Sequence, residues 1–269
     1  MRRWWLAIAV VVLASRARCG HREALRIATF NIEDFPKHDR QVAGALDEMA
    51  ATGASVIGVQ EISSARILLA AARARLGERW QFVDDGTTRW SLGVLYDGAR
   101  WTLRSRQLHD DTRIDGRQKS VLDVRLAPAG GGEILRVLVV HLKSGTAGRP
   151  IRARQFEGLV RVAAQARASG ERVIVLGDFN ATEDADRADL ARLAAAAGLV
   201  WASEPLACTA FWARDDGCPR SRLDHVLAWE PPAHIAAAGA CAIDGCDWQA
   251  ACPLYADEVS DHCPVVATF

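Results

Sequence analysis

The chain has 269 residues, 50% of them hydrophobic, with 33 basic and 33 acidic residues and a net charge of zero. That length and hydrophobic content exclude a disordered chain and support one large domain with a substantial core. The balanced charge excludes a global electrostatic pull toward nucleic acid or anionic lipid, so any phosphate affinity has to be local.

Residues 1–19 read as an export signal. Arg2-Arg3 supply the positive end, Trp4 to Ala14 an apolar stretch, and Ser15-Arg16-Ala17 a small-x-small site that puts cleavage near residue 17. The stretch is short for a bilayer span, so no membrane span is expected in the mature protein, which is secreted or periplasmic. Residues 24–269 carry no linker, repeat or low-complexity tract and are expected to form one domain.

Apolar runs predict strands near 25–31, 55–60, 92–96, 101–108, 119–126, 134–141, 173–178, 223–229 and 264–269. Helical spacing appears at 40–51, 63–76, 151–168 and 184–197, with Gly170 and Gly198 placed as stops. The first strand ends in Asn31, the second in Gln60-Glu61, the sixth in His141 with Lys143 beyond it, and the seventh in Asp178-Phe179-Asn180. Alternation sends Asp178 and Asn180 to one side and Phe179 back to the core. Asp224 lies in an apolar strand, with His225 turned to the opposite face, and Asp261-His262 precede the last strand.

Six of the seven cysteines, at 208, 218, 241, 246, 252 and 263, crowd the last quarter of the chain. In an exported protein they are expected to staple loops as disulfides, and no CxxC pair suggests zinc. Six cysteines leave connectivity open; the sequence-local choice joins Cys208 to Cys218, Cys241 to Cys246 and Cys252 to Cys263. Helices interleaved with some strands, and short turns joining others, predict an α/β (α+β) four-layer sandwich: two packed mixed β-sheets flanked by helices.

Strands that deliver polar or titratable groups to one edge let Asn31, Glu61, His141, Asp178, Asn180, Asp224, Asp261 and His262 converge. In order, TFN, QE, HLKS, GDFN, RLDH and SDH resemble the endonuclease/exonuclease/phosphatase superfamily, which includes deoxyribonuclease I, abasic-site endonucleases and sphingomyelinases. The resemblance covers residues 25–269 and implies a metal-dependent phosphodiesterase, most simply an endonuclease acting on DNA, working as a monomer. It implies Mg²⁺, with Mn²⁺ or Ca²⁺ as alternatives, at Asn31, Glu61 and Asp261. His262, paired with Asp224, would take a proton from the attacking water or grip the phosphate. Asp178 and Asn180 would position water and phosphate, and His141 would bind the phosphate or protonate the leaving oxygen.

Arg117 and Lys143 are the expected phosphate-binding residues, and Arg113 and Arg149 could complete a basic rim. The stretch GTTRWSLGVLY lacks the acid that deoxyribonuclease I pairs with its counterpart of His141. The alternatives are a phosphatase or sphingomyelinase-like phospholipase of the same superfamily, and a non-catalytic secreted binding protein on this scaffold.

Overall fold

The computed structural model describes residues 24–269, so the export segment expected at 1–19 lies outside the described residues. The strands are β1 (Arg26–Phe35), β2 (Val56–Ile62), β3 (Trp80–Asp84), β4 (Ser91–Asp97), β5 (Trp101–His109), β6 (Val121–Pro128) and β7 (Leu135–His141). They continue with β8 (Arg172–Asp178), β9 (Val200–Trp201), β10 (Ala210–Phe211), β11 (Arg220–Ser221), β12 (Asp224–Ala228), β13 (His234–Ala237) and β14 (Val265–Thr268). The helices are α1 (Asp39–Thr52), α2 (Ala65–Leu76), α3 (Arg149–Ala168), α4 (Asp184–Ala197), α5 (Gly239–Asp244) and α6 (Leu254–Glu258).

Two six-stranded mixed sheets form, ordered β13-β14-β1-β2-β4-β3 and β5-β6-β7-β8-β12-β9. Three apolar layers explain the stacking. Val56, Val94, Val137, Leu176 and Val226 fill the space between the sheets. Phe30, Leu46, Met49 and Leu68 seal the first sheet under α1 and α2. Phe156, Leu159, Phe179 and Leu190 seal the second under α3 and α4. The central strands β2, β7, β8 and β12 are thus buried on two faces, which is why they read as continuous apolar runs.

The four long helices fall where the sequence puts them, because their ends are chemically marked. Ser64 caps α2 by accepting from the Ile67 amide, and Glu183 and Asp186 form a capping box on α4. Gly53 ends α1 with φ 60, a left-handed conformation that glycine adopts without steric penalty. The edge strands β3, β9 and β13 and the short helices α5 and α6 are additions to the sequence reading. They are too short or too half-buried to set a period of their own.

Three disulfides form, and their connectivity corrects the sequence-local expectation: Cys208–Cys246, Cys218–Cys252 and Cys241–Cys263. The reason lies in the backbone. β13 pairs with β14 and brings α5 beside Cys263, while the Cys218 amide donates to Gln249 O and draws the Cys252 segment across the β10–β11 turn. Among the described residues, no helix is long and apolar enough to cross a membrane.

His225 is the buried histidine that strand alternation predicts. It is fully enclosed, edge-on to Phe179 and Trp201, with Nδ1 3.0 Å from Ser203 Oγ. Burial first, and then the Arg222 charge, holds its pKa down to about 3 against a backbone hydrogen bond that raises it. Below the ordinary histidine pKa the unfolded chain binds a proton that the folded chain refuses, so stability present at neutral pH is lost as pH falls toward 3. The steepest slope from this one group is about 1.4 kcal/mol per pH unit. Denaturant titrations from pH 7 downward should show that slope in the wild type and a shallower one in His225→Gln; equal slopes would refute the assignment.

Candidate functional site

Strand register assembles the centre of the site. β7 runs parallel to β8 with His141 opposite Asp178, and β12 runs antiparallel to β8 with Asp224 opposite Asp178. Three titratable residues therefore stand side by side on one edge. Gly177 makes this possible: with φ 137, a Cβ there would sit 2.1 Å from Val140 O, so only glycine admits this close approach of β8 to β7. From the other sheet, Asn31 pairs with Gln60 at the parallel ends of β1 and β2 and brings Glu61 alongside.

Asp178 is the hub. It is 2% exposed, and its Oδ1 accepts from the Asn180 amide at 2.8 Å while its Oδ2 accepts from Asn31 Nδ2 at 3.1 Å. His141 Nε2 lies 3.5 Å and His262 Nε2 3.8 Å from the same Oδ2. Asn31 Nδ2 also donates to Glu61 Oε1 at 3.2 Å, and the Asp34 amide donates to Glu61 Oε2 at 3.0 Å. Glu61 Oε1 is 3.8 Å from His141 Nε2, so this histidine has acidic neighbours although GTTRWSLGVLY offers it none. Glu61 and Asn180 have φ 62 and φ 49; left-handed backbone at non-glycine residues carries strain that the surrounding hydrogen bonds must offset.

His262 and Asp224 form a buried pair, Nδ1 to Oδ2 at 2.7 Å. Thr209 Oγ1 donates to the same Oδ2 at 2.9 Å, and Ser260 Oγ accepts from the His262 amide at 3.0 Å. Burial opposes charge on both partners. On His262 the negative charges of Asp224, Asp261 and Asp178, with the Asp224 hydrogen bond, more than offset burial and hold the pKa well above its usual value. The Asp224 hydrogen bond and the surrounding carboxylates favour the charged imidazole, whose Nε2 lies 3.8 Å from Asp178 Oδ2 and 3.7 Å from Asp261 Oδ1. Asp261 is pushed up to about 6 by burial, its neighbour His262 notwithstanding, with the charges of Glu33, Glu61 and Asp178 adding to the rise.

Glu61, His141, Asp178, Asn180, Asp261 and His262 line a cavity of about 750 Å³ shared by both sheets and the disulfide-linked segment, with Asn31 and Asp224 behind them. Glu33, Glu61, Asp178, Asp257 and Asp261 give it five carboxylates, while His141 and His262 are its basic groups and no Lys or Arg lines it among the described residues. Two exposed tryptophans border it. Trp90 donates Nε1 to Asp34 Oδ1 at 2.9 Å and carries the Arg89 guanidinium 4.2 Å from its ring centroid. Trp212 carries that of Arg214 at 4.6 Å.

Eight of the sequence-derived candidates thus meet: Asn31, Glu61, His141, Asp178, Asn180, Asp224, Asp261 and His262. Arg117 and Lys143 do not line the cavity. Arg117 is exposed after a short 3₁₀ turn, and the Lys143 stem packs toward Gly148. Arg149 is held by Asp186 and Asp189 at 3.2 and 2.8 Å, and Arg113 donates to Gly116 O. Glu33, Trp90, Thr209 and Ser260 were not among the candidates. Glu33, two residues past Asn31, had a period-two signal; Thr209 is brought in by a long-range bridge that no local pattern encodes.

The carboxylate cluster fits a divalent cation. Asp261 Oδ1 is buried without a hydrogen-bond partner, and Glu61 turns a part-exposed carboxylate to the cavity. No three His, Cys, Asp or Glu side chains among the described residues cage a metal unaided. A Mg²⁺ ion held by one or two carboxylates, waters and substrate oxygens needs no such cage.

A buried ion pair fixes the loops on the far wall. Arg152 and Asp186 side chains are both 0% exposed, with Nη2 to Oδ2 at 2.6 Å. Arg152 Nη1 also donates to Lys143 O and Gly145 O, and the Thr182 and Glu183 amides donate to Asp186. Asp186→Ala leaves the guanidinium unpaired and should lower unfolding stability by about 3–5 kcal/mol. A loss below about 1 kcal/mol in denaturant titration would show that the loops do not depend on the pair.

The sequence matches the Endonuclease/Exonuclease/phosphatase family over residues 28–262. No curated protein matches it. Among solved structures, D. rerio TDP2 complexed with single strand DNA product is 19% identical, covering 91% of this chain and 98% of that chain at TM-score 0.69. The human Nocturnin catalytic domain with bound sulfate anion is 16% identical, covering 91% and 93% at TM-score 0.67. The 3′ phosphatase NExo from Neisseria bound to product DNA hairpin is 17% identical, covering 91% and 99% at TM-score 0.66. At these identities the likeness establishes the fold.

Proposed function

The chain belongs to the endonuclease/exonuclease/phosphatase family, and from that premise we propose that it is an exported, Mg²⁺-dependent phosphodiesterase that hydrolyses DNA as a monomer. The observation that carries the reading is the set of titratable groups in register, His141 and Asp224 flanking Asp178, with His262 Nε2 aimed at the same carboxylate. A binding protein has no chemical need for that set. Three disulfides support an oxidising destination outside the cytoplasm.

Glu61 and Asp261 would hold Mg²⁺, with Asn31 fixing the Glu61 carboxylate through its amide donor. The ion, when bound, neutralises charge on the phosphate and on the oxygen that leaves. This chain's residues do the rest. His262, kept as the imidazolium by Asp224, donates its Nε2 proton to a phosphate oxygen, and Asn180 orients the same group. Asp178 takes the proton of the attacking water as the new P–O bond forms. The P–O bond to the departing oxygen breaks opposite, and that oxygen takes up a proton donated by His141. Of the two roles that the sequence left open, His262 takes that of gripping the phosphate, supported by the Asp224 hydrogen bond on Nδ1 that favours its charged form.

Trp90 and Trp212 support a nucleic-acid substrate, since each is an exposed aromatic side chain beside the cavity, of the kind on which an unpaired base stacks. TDP2 with its single strand DNA product and NExo with its product DNA hairpin point the same way. A second reading, a phosphatase removing a terminal phosphate, is favoured by the absence of Lys and Arg from the cavity lining, because a long backbone is normally tracked by basic side chains.

Purified residues 20–269 should nick supercoiled plasmid or degrade single-stranded oligonucleotide with Mg²⁺, lose activity in EDTA, and lose at least about 10²-fold in kcat with His262→Ala. Release of phosphate from a 3′-phosphorylated oligonucleotide without chain cleavage would select the phosphatase reading. Hydrolysis of sphingomyelin alone would select the phospholipase; inactivity of folded, Mg²⁺-supplied protein toward all three would reject a hydrolase. For single strands, Trp90→Ala and Trp212→Ala should each raise KM by roughly 5- to 100-fold, the scale of one lost base stack. Unchanged KM would remove the stacking role.

A further inference from the structure

The segment stapled by the three disulfides has a peculiar interior. Its buried cluster consists of Cys208, Cys218, Cys241 and Cys263 with only Phe211 and Ala240. Apolar burial of that size does not hold a loop region in place, so the covalent bonds do the holding. Two of them converge on one short stretch: Cys241, within α5, bonds Cys263, and Cys246, just beyond it, bonds Cys208.

The partners of that stretch lie one peptide bond from His262 and from Thr209, the hydroxyl donor to Asp224. Cys208 precedes Thr209, whose hydroxyl donates to Asp224 Oδ2 at 2.9 Å and accepts from the Asp224 amide at 2.9 Å. Cys263 follows His262. The two segments are laced together by short backbone contacts: Cys263 N to Thr209 O at 2.8 Å, Phe211 N to Asp261 O at 2.7 Å, and an antiparallel bridge between Ala210 and His262. No regular strand extends this ladder beyond β10, so a few short contacts and the disulfides together keep the two segments in register.

We propose that residues 241–246 act as a positioning clip, whose two disulfides hold the Thr209 and His262 segments together, and that turnover requires both bonds closed. The inference rests on the phosphodiesterase reading of His262. Each bond opens by gaining two electrons and two protons from an external reductant, giving two thiols. The three packed layers share no cysteine with the clip, so they would stay folded while His262 drifts from Asp224. A chain kept in a reducing compartment would then be folded and inactive.

The test compares Cys208→Ser/Cys246→Ser and Cys241→Ser/Cys263→Ser with wild type on the Mg²⁺-dependent DNA substrate, alongside oxidised His262→Ala. The clip predicts native-like cooperative unfolding, a kcat lower by about 10²-fold, as for a catalytic group displaced by about 1 Å, and KM changed less than about threefold. The downfield Nδ1–H proton resonance of His262, assigned by its absence from His262→Ala, should be lost from both serine pairs. Retention of that resonance with kcat within about twofold would overturn the clip. If a serine pair fails to fold, partial reduction of folded wild type by a phosphine supplies the comparison, with opened cysteines mapped by alkylation and mass spectrometry. Activity surviving in molecules with both clip bonds open overturns the proposal; loss that tracks their opening supports it. An oxidised His262→Ala with wild-type activity would instead refute the catalytic reading on which the clip depends.

Discussion

A carboxylate and an imidazole buried together, Asp224 against His262, impose the constraint that the rest of the site answers. Asp224 is fully enclosed, and an ionised carboxylate in that position is tolerable only with strong donors on its oxygens. His262 Nδ1 and Thr209 Oγ1 supply them, both to Oδ2. Each donor then has to be held in turn. Ser260 does this for His262, accepting from its amide and donating to Asn31 O at 2.8 Å, which ties the pair to the opposite sheet. The site therefore spans both sheets of the sandwich, and its geometry depends on their packing.

The scaffold meets that demand with rigidity at the strand ends. β7, β8 and β12 lie in the middle of their sheet and are buried on both faces, so the register that aligns His141, Asp178 and Asp224 cannot slip without exposing apolar side chains. Beyond the strand ends, where no ladder continues, buried polar links replace it. Arg152 and Asp186 pin the loops after β7 and β8, and Gln155 Nε2 donates to Thr112 O while its Oε1 accepts from the Lys143 amide. Strain at Glu61 is offset by the Asn31 and Asp34 donors on its carboxylate, and at Asn180 by its bonds to Asp178 and Leu142 O.

What the sequence made legible follows from how far each feature acts along the chain. The apolar runs of β1, β2, β7 and β8 and the polar residues at their ends are local, so the strands and eight meeting side chains could be read from spacing and family resemblance. The edge strands β3 and β13 were not legible because half-buried edges lack a clean alternation. Thr209, Trp90 and the disulfide pairing depend on contacts between distant segments: Thr209 reaches Asp224 across 15 residues, Trp90 reaches Asp34 across 56, and Cys208 reaches Cys246 across 38. Arg117 and Lys143 show the reverse case. Their sequence positions were right for a phosphate contact, but Arg117 follows a turn that carries it to the surface and Lys143 packs along a glycine.

The charge of the cavity gives the arrangement its chemical sense. Five carboxylates with two histidines would repel any phosphate that approached alone. In the proposed reading a divalent cation would reverse that field locally, so phosphate affinity would be confined to the ion and the two histidines beside it. A basic groove, by contrast, would bind phosphate along its whole length and hold substrate wherever it touched. On this reading the acidic wall would restrict productive binding to one phosphate, while the tryptophans at the border, each with a guanidinium over its ring, are placed to hold neighbouring groups. Zero net charge and the proposed local phosphate site are consistent for this reason: on that reading the selectivity would come from a bound ion and a few side chains, which leave no trace in the overall charge balance.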